Sequence, residues 1–164
     1  MKFERYGKGL AKGLSVTIKH MFRHPITTQY PEQRLNTSRR IRGNELIWSQ
    51  LKCTGCGTCA KTCPQGAIEI TTSTNLTENK YVVEKYQLDT GYCIQCGLCV
   101  ESCPYEALYM GYAYERAKYR RGELVQTKGI MLETPDRQTS GYFYPDRAAK
   151  LPRQTLLLDR ITEK

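Results

Sequence analysis

The chain has 164 residues, with 8 cysteines, 25 Lys and Arg against 16 Asp and Glu, and a formal net charge of +9. That length carries one domain with extensions and excludes a large multidomain enzyme. With 40% hydrophobic residues, and only 3 Phe and 1 Trp against 12 Tyr, hydrophobic burial alone does not build a generous core along the whole chain, so something else must help to hold it together.

The positive charge sits at the N-terminal end. Residues 1–42 hold Lys2, Arg5, Lys8, Lys12, Lys19, Arg23, Arg34, Arg39, Arg40 and Arg42 against Glu4 and Glu32, which accounts for nearly all of the excess. Projected at about 100° per residue, Phe3, Tyr6, Leu10, Leu14, Thr17, Ile18 and Met21 share one face and the basic residues the other. This predicts an amphipathic basic helix from Phe3 to Met21, ended near His24 by Pro25, which disfavours helix in the residue before it. Gly7, Gly9 and Gly13 weaken it in isolation, so it needs a partner surface. A membrane interface fits, with the apolar stripe at the headgroup boundary and the lysines near anionic lipid; packing on a neighbouring protein is the alternative. Nucleic acid is set aside as a partner, because no recognition motif, aromatic-interleaved basic stretch or nucleotide loop accompanies the charge. Arg39-Arg40-Ile41-Arg42 reads as ion pairs to a partner, and His20 and His24 as surface or contact residues.

Residues 43–111 form the predicted domain. The N-terminus opens Met1-Lys2-Phe3-Glu4-Arg5 with no apolar run long enough for a signal peptide or a membrane span, which predicts a reducing compartment where structural disulfides are disfavoured. All eight cysteines lie between Cys53 and Cys103, in an internal repeat with an offset of 40. Cys53, Cys56, Cys59, Cys63 and Pro64 match Cys93, Cys96, Cys99, Cys103 and Pro104, and Gly57 matches Gly97, so each half reads C-x-x-C-x-x-C-x-x-x-C-P.

The spacing has a chemical reason. Three thiolates two residues apart in a tight loop can each reach a different iron of one cubane, and the glycines allow close backbone approach. Zinc sites pair C-x-x-C units across a longer spacer, and the triple followed by C-P does not fit them. The proline after the fourth cysteine suits the first turn of a short helix, which carries that cysteine away from its own loop. In two-cluster ferredoxins it ligates the other cluster. Cys53, Cys56, Cys59 and Cys103 are therefore assigned to one [4Fe–4S] cluster, and Cys93, Cys96, Cys99 and Cys63 to a second. With every iron held by cysteine, no coordination site is left for a substrate, so the chemistry predicted is single-electron transfer, with no catalytic residue.

Around the motifs, Ala67-Ile68-Glu69-Ile70, residues 81–88 and Ala107-Leu108-Tyr109-Met110 read as strands, and Thr71 to Lys80 as a surface loop. The fold class expected is α+β: a two-cluster ferredoxin-like core with an N-terminal amphipathic helix and an extended C-terminal tail. That tail, residues 112–164, is broken by Pro135, Pro145 and Pro152 and is expected to lie on something rather than fold alone.

The doubled motif with its prolines, preceded by Pro25-Ile26-Thr27-Thr28-Gln29-Tyr30-Pro31-Glu32 and by Arg40-Ile41-Arg42-Gly43, resembles the subunit I family of NADH-quinone oxidoreductase, the two-cluster ferredoxin-like subunit of respiratory complex I. The likeness runs from the arm to about Met110. It implies a subunit of the peripheral arm near the membrane, on the cytoplasmic side of the cell membrane, which relays electrons from NADH-fed clusters towards the quinone site. Its partners would be other cluster subunits and a membrane subunit. The resemblance implies that neither NAD nor quinone binds this chain by itself. Two other readings share the motif. A diffusible ferredoxin has no use for the basic arm and the long tail. The equivalent subunit of a related membrane hydrogenase or photosynthetic-type dehydrogenase would share the wire but not the NADH.

Overall fold

The computed structural model describes residues 7–75 and 80–155. Lys2, Phe3, Arg5 and Tyr6 of the expected N-terminal helix, and the tail beyond residue 155, lie outside the described residues. Those described form two compact units, residues 7–36 with 155 and residues 37–154.

In the first unit, α1 (Lys8–Met21) starts after Gly7, whose φ of 93° breaks the helical path. Lys19 and His20 occupy its last turn, where positive charge suits the carbonyl end of the helix dipole. None of its residues is buried. Leu10, Leu14, Ile18 and Met21 are all more than half exposed, and together they form the apolar stripe that the sequence periodicity predicts.

The second unit is built from two small antiparallel sheets. β1 (Leu46–Trp48) pairs with β4 (Leu108–Met110), Leu46 opposite Met110 and Trp48 opposite Leu108, and all six residues are buried. β1 has no counterpart among the expected strands. Three apolar residues buried on both faces show none of the alternation that marks a half-exposed strand.

The other sheet has the order β2, β3, β5, comprising β2 (Ile68–Asn75), β3 (Lys80–Asp89) and β5 (Val125–Thr127). Ile68 faces Leu88 and Ile70 faces Tyr86, with a bulge between Thr71 and Thr72. The surface loop expected over Thr71 to Lys80 is corrected here: Thr71 to Asn75 and Lys80 belong to the strands, and residues 76–79 lie outside the described residues. Polarity suggested a loop, but threonine is β-branched and favours a pleated, half-exposed surface. Cross-strand pairs such as Ser73 with Val82 and Thr74 with Tyr81 extend the ladder.

The C-terminal stretch lies on this core and completes it. It supplies β5, which pairs with the end of β3 through Gln87, Leu88 and Asp89, then α4 (Lys128–Met131) and 3-10 turns at Arg121–Leu124 and Pro145–Lys150. Met131 is fully buried among Trp48, Tyr86, Leu88, Val100 and Leu108. The cysteines Cys53, Cys59, Cys63, Cys93 and Cys99 pack against the same cluster, so thiols fill space that large side chains would otherwise take.

One charged group is buried with its partners. The Glu45 carboxylate, 4% exposed, receives Arg137 at 3.0 Å and a closer hydrogen bond from Arg116, which fastens the start of β1 to the C-terminal stretch. Removing one member of a buried ion pair strands the other charge, at about 3–5 kcal/mol. Glu45→Ala is therefore expected to lower unfolding stability by about 3 kcal/mol. Glu133→Ala, which breaks the half-exposed 2.8 Å pair with Arg147, costs under about 1 kcal/mol. Thermal or denaturant melts of both variants measure the contrast.

Candidate metal centre

The repeat is present in the backbone as well as in the letters. Positive φ angles fall at Gly55, Gly57 and Gly66 in the first half and at Gln95, Gly97 and Glu106 in the second, each pair 40 residues apart. Left-handed residues turn the chain around each loop so that its cysteines share one concave side. Glycine is required at two of these positions by space as well as by φ. A Cβ at Gly55 would stand 2.7 Å from the Thr72 methyl, and one at Gly97 would stand 2.4 Å from the Tyr142 ring.

Two short helices carry the third cysteines. α2 (Thr58–Thr62) and α3 (Leu98–Glu101) each begin after the loop glycine and hold Cys59 and Cys99. The helix expected to begin at each proline is thus corrected: it lies inside the motif, before the fourth cysteine. Pro64 forces the preceding residue out of the helical region, and Cys63 is extended with ψ of 115°, so the proline stops the helix instead of starting it. The turns that follow are matched too. The Ala67 N–H donates to Cys63 Sγ at 3.4 Å and the Ala107 N–H to Cys103 Sγ at 3.3 Å.

The eight thiols stand around two cavities. Cys53, Cys56, Cys59 and Cys103 line one, together with Trp48, Ile70, Tyr86 and Leu108. Cys63, Cys93, Cys96 and Cys99 line the other, with Leu46, Ile68, Leu88 and Met110. Each cavity draws three cysteines from one motif and the fourth from the other. None of the eight is in a disulfide. Among the described residues no three of His, Cys, Asp or Glu converge closely enough to hold one metal ion. Sulfurs sharing a single zinc at about 2.3 Å would lie within ~4 Å of one another, whereas a cubane binds each thiolate on a different iron and needs a wider ring. Four soft donors around an apolar-walled space, with a backbone N–H on the fourth sulfur, fit a [4Fe–4S] cluster. His20 and His24 are exposed and belong to neither cavity.

Burial differs between the thiols. It pushes Cys99 up to about 12 and raises Cys59 and Cys93, because a thiolate in apolar surroundings loses its hydration. Cys56 lies at the surface, and the hydrogen bond it shares with the Thr58 hydroxyl at 3.3 Å lowers it. Cys59, Cys93 and Cys99 would ionise beside a bound iron–sulfur group, whose iron would supply the opposing positive charge.

A family model for the 4Fe-4S dicluster domain matches residues 52–107. The chain is 40% identical over 127 residues to NADH-quinone oxidoreductase subunit I 2 of Geobacter metallireducens, covering 76% of this chain and 96% of that protein. This chain belongs to the NADH-quinone oxidoreductase subunit I family. A second relative, NADH-quinone oxidoreductase subunit I 2 of Symbiobacterium thermophilum, is 38% identical over 157 residues, covering 92% of this chain and 63% of its own length. Among solved structures, a chain of the membrane-bound sulfane sulfur reductase, an archaeal respiratory membrane complex, matches with a TM-score of 0.55 and 27% identity. That match covers 76% of this chain and spans 62% of the other.

The family motif marks the cysteines and not their surroundings. Tyr86 donates its hydroxyl to Cys59 Sγ at 3.6 Å, and Arg42 donates to the Cys96 carbonyl at 3.0 Å while lying over the Tyr142 ring. Strand alternation marks Tyr86 as inward with Leu88, but its aim at Cys59 depends on where α2 packs. Tyr142 lies 39 residues beyond Cys103, where spacing carries no information about contact.

The second loop is anchored at its entry. Arg121 grips both oxygens of Asp89 at 2.6 and 2.7 Å, and Asp89 also accepts the Gly91 N–H at 2.9 Å, just ahead of Cys93. The Arg121 guanidinium holds the Asp89 carboxyl below its usual range. A depressed carboxylate pKa adds stability above the unfolded value, near 3.9, and loses it as pH falls through the folded value. The melting advantage of the native chain over Asp89→Asn is therefore expected to be the same at pH 7 and pH 5 and to shrink below about pH 4. Thermal melts across that range give the comparison.

Proposed function

We infer that this chain is the electron-relay subunit of a membrane-associated NADH-quinone oxidoreductase. The observation that carries the reading is the pair of cavities, each lined by four cysteines shared between the two halves of the repeat. Cys53, Cys56, Cys59 and Cys103 would hold one [4Fe–4S] cluster, and Cys93, Cys96, Cys99 and Cys63 the other. When bound, the clusters take up and hand on single electrons between upstream NADH-fed clusters and the quinone-reducing site. The protein supplies position and insulation. The crossing of Cys63 and Cys103 ties the two sites at a fixed separation. Leu46, Ile68, Leu88 and Met110 on one side, and Trp48, Ile70 and Leu108 on the other, give each cavity an apolar wall. No general acid, base or nucleophile is needed, since no bond is made or broken.

The arm, residues 1–42, would attach this relay to the membrane surface or to a membrane subunit, on the cytoplasmic side. α1 presents Leu10, Leu14, Ile18 and Met21 to the outside, with Lys8, Lys12 and Lys19 on the opposite face, which suits an interfacial helix. Among the described residues no helix is long and apolar enough to cross a membrane. A second reading is favoured by the likeness to the sulfane sulfur reductase chain: an equivalent relay in a respiratory complex whose donor is not NADH. Co-purification from membranes separates the two, because a flavin- and NADH-binding subunit accompanies the chain only under the first.

Two outcomes test the reading. Cys63→Ser is expected to abolish the electron paramagnetic resonance signal of the cluster of Cys93, Cys96 and Cys99 while sparing that of Cys53, Cys56 and Cys59; loss of the latter alone would show uncrossed ligation. Deleting residues 1–24 is expected to leave both clusters in place and to move the protein from the membrane fraction to the soluble one. Retention on the membrane would put the attachment elsewhere.

A further inference from the structure

The two cavities match in their cysteines and their backbone donors, yet the side chains that line them differ. Tyr86 and Trp48 both line the cavity of Cys53, Cys56, Cys59 and Cys103, their rings 5.4 Å apart. The Tyr86 hydroxyl lies 3.6 Å from Cys59 Sγ. The Trp48 side chain is buried at 2% exposure, and its Nε1–H has no hydrogen-bond partner among the described residues. A buried donor without an acceptor is costly, and its persistence calls for an explanation at that site. Among the described residues no hydroxyl or indole N–H donates to the sulfurs of Cys63, Cys93, Cys96 or Cys99. Arg42 and Tyr142, which approach this loop, meet the Cys96 carbonyl instead.

We propose that Tyr86 O–H and Trp48 Nε1–H are hydrogen-bond donors to the sulfur atoms of the cluster held by Cys53, Cys56, Cys59 and Cys103, and that they raise its reduction potential without affecting its twin. This rests on the two-cluster reading above. Adding one electron increases negative charge on the sulfurs, so a donor aimed at sulfur stabilises the reduced form more than the oxidised one. The apolar wall strengthens the effect by lowering the local dielectric. The electron resides on the cluster, both protons stay on the Tyr86 oxygen and the Trp48 nitrogen, and no bond breaks. Cluster sulfur would also provide the acceptor that Trp48 otherwise lacks. These two residues are positioning and tuning groups rather than catalytic ones.

The test is a redox titration of the full-length, cluster-loaded chain followed by electron paramagnetic resonance. Tyr86→Phe and Trp48→Phe each keep an aromatic ring and delete one donor. Each is expected to lower the midpoint of one cluster, by up to about tenfold in the reduced-to-oxidised ratio at a set potential, ~59 mV for one electron. The other cluster and the exposed Tyr81→Phe control should not move. Unchanged midpoints in both variants, or equal shifts of both clusters, would overturn the proposal. Should neither variant load, a Thr58→Val chain, which lacks the hydroxyl bonded to Cys56, decides by pulsed resonance after exchange into heavy water: more coupled exchangeable deuterons on the cluster of Cys53 than on that of Cys93 support it, and equal numbers refute it. Iron and sulfide content short of two clusters in the native chain would instead refute the reading beneath it.

Discussion

Everything in the second unit depends on placing the fourth cysteine of each motif against the loop of the other. A chain of this composition has few large side chains to spend on a centre, and the space between its sheets is occupied by thiol groups facing two cavities. Cys63 and Cys103 are reached by reversing direction after α2 and α3, and the prolines that follow stop both helices where the sulfur must turn across. Because each half lends one cysteine to the other's cavity, neither cavity is lined by one half alone. The separation of the two sites is then set by covalent chain and not by docking.

The supporting parts serve that crossing. β1 and β4, each three residues long, form a ladder too small to stand by itself, and they are stable because both faces are covered by apolar side chains and sulfurs. β2 and β3 put Ile68, Ile70, Tyr86 and Leu88 inward in register, so the same pair of strands walls both cavities. The C-terminal stretch closes the remaining side with Met131 and ties itself down through Glu45 and Asp89, the first a buried ion pair and the second an exposed clamp. Buried charge of this kind is strongly sensitive to losing one partner, whereas the exposed clamp mainly orders the chain ahead of Cys93.

Much of this was legible in the letters because the repeat is chemical. Eight cysteines in two runs 40 residues apart, with a glycine and a proline in each half, point to the grouping of sulfurs that lines the two cavities. The apolar stripe of α1 was legible for the same reason, being a local periodicity. β1 was not, since three buried residues show no period. Thr71 to Asn75 misled because threonine is read as polar before it is read as β-branched. Pro64 and Pro104 misled because proline both starts and stops helices, and only the conformation of Cys63 shows which. Met131, Tyr142 and Arg137 reach their partners across long loops, and sequence distance says nothing about which loop folds back.

The burial of Met131 has a consequence for what the cysteine repeat can do by itself. Met131 lies 28 residues beyond Cys103, yet it fills the core beside Trp48, Tyr86, Leu88, Val100 and Leu108. A chain cut after Met110 would keep all eight thiols and lose the apolar side chain that packs behind them. The repeat carries the sulfurs, and a stretch with no cysteine of its own carries part of their support.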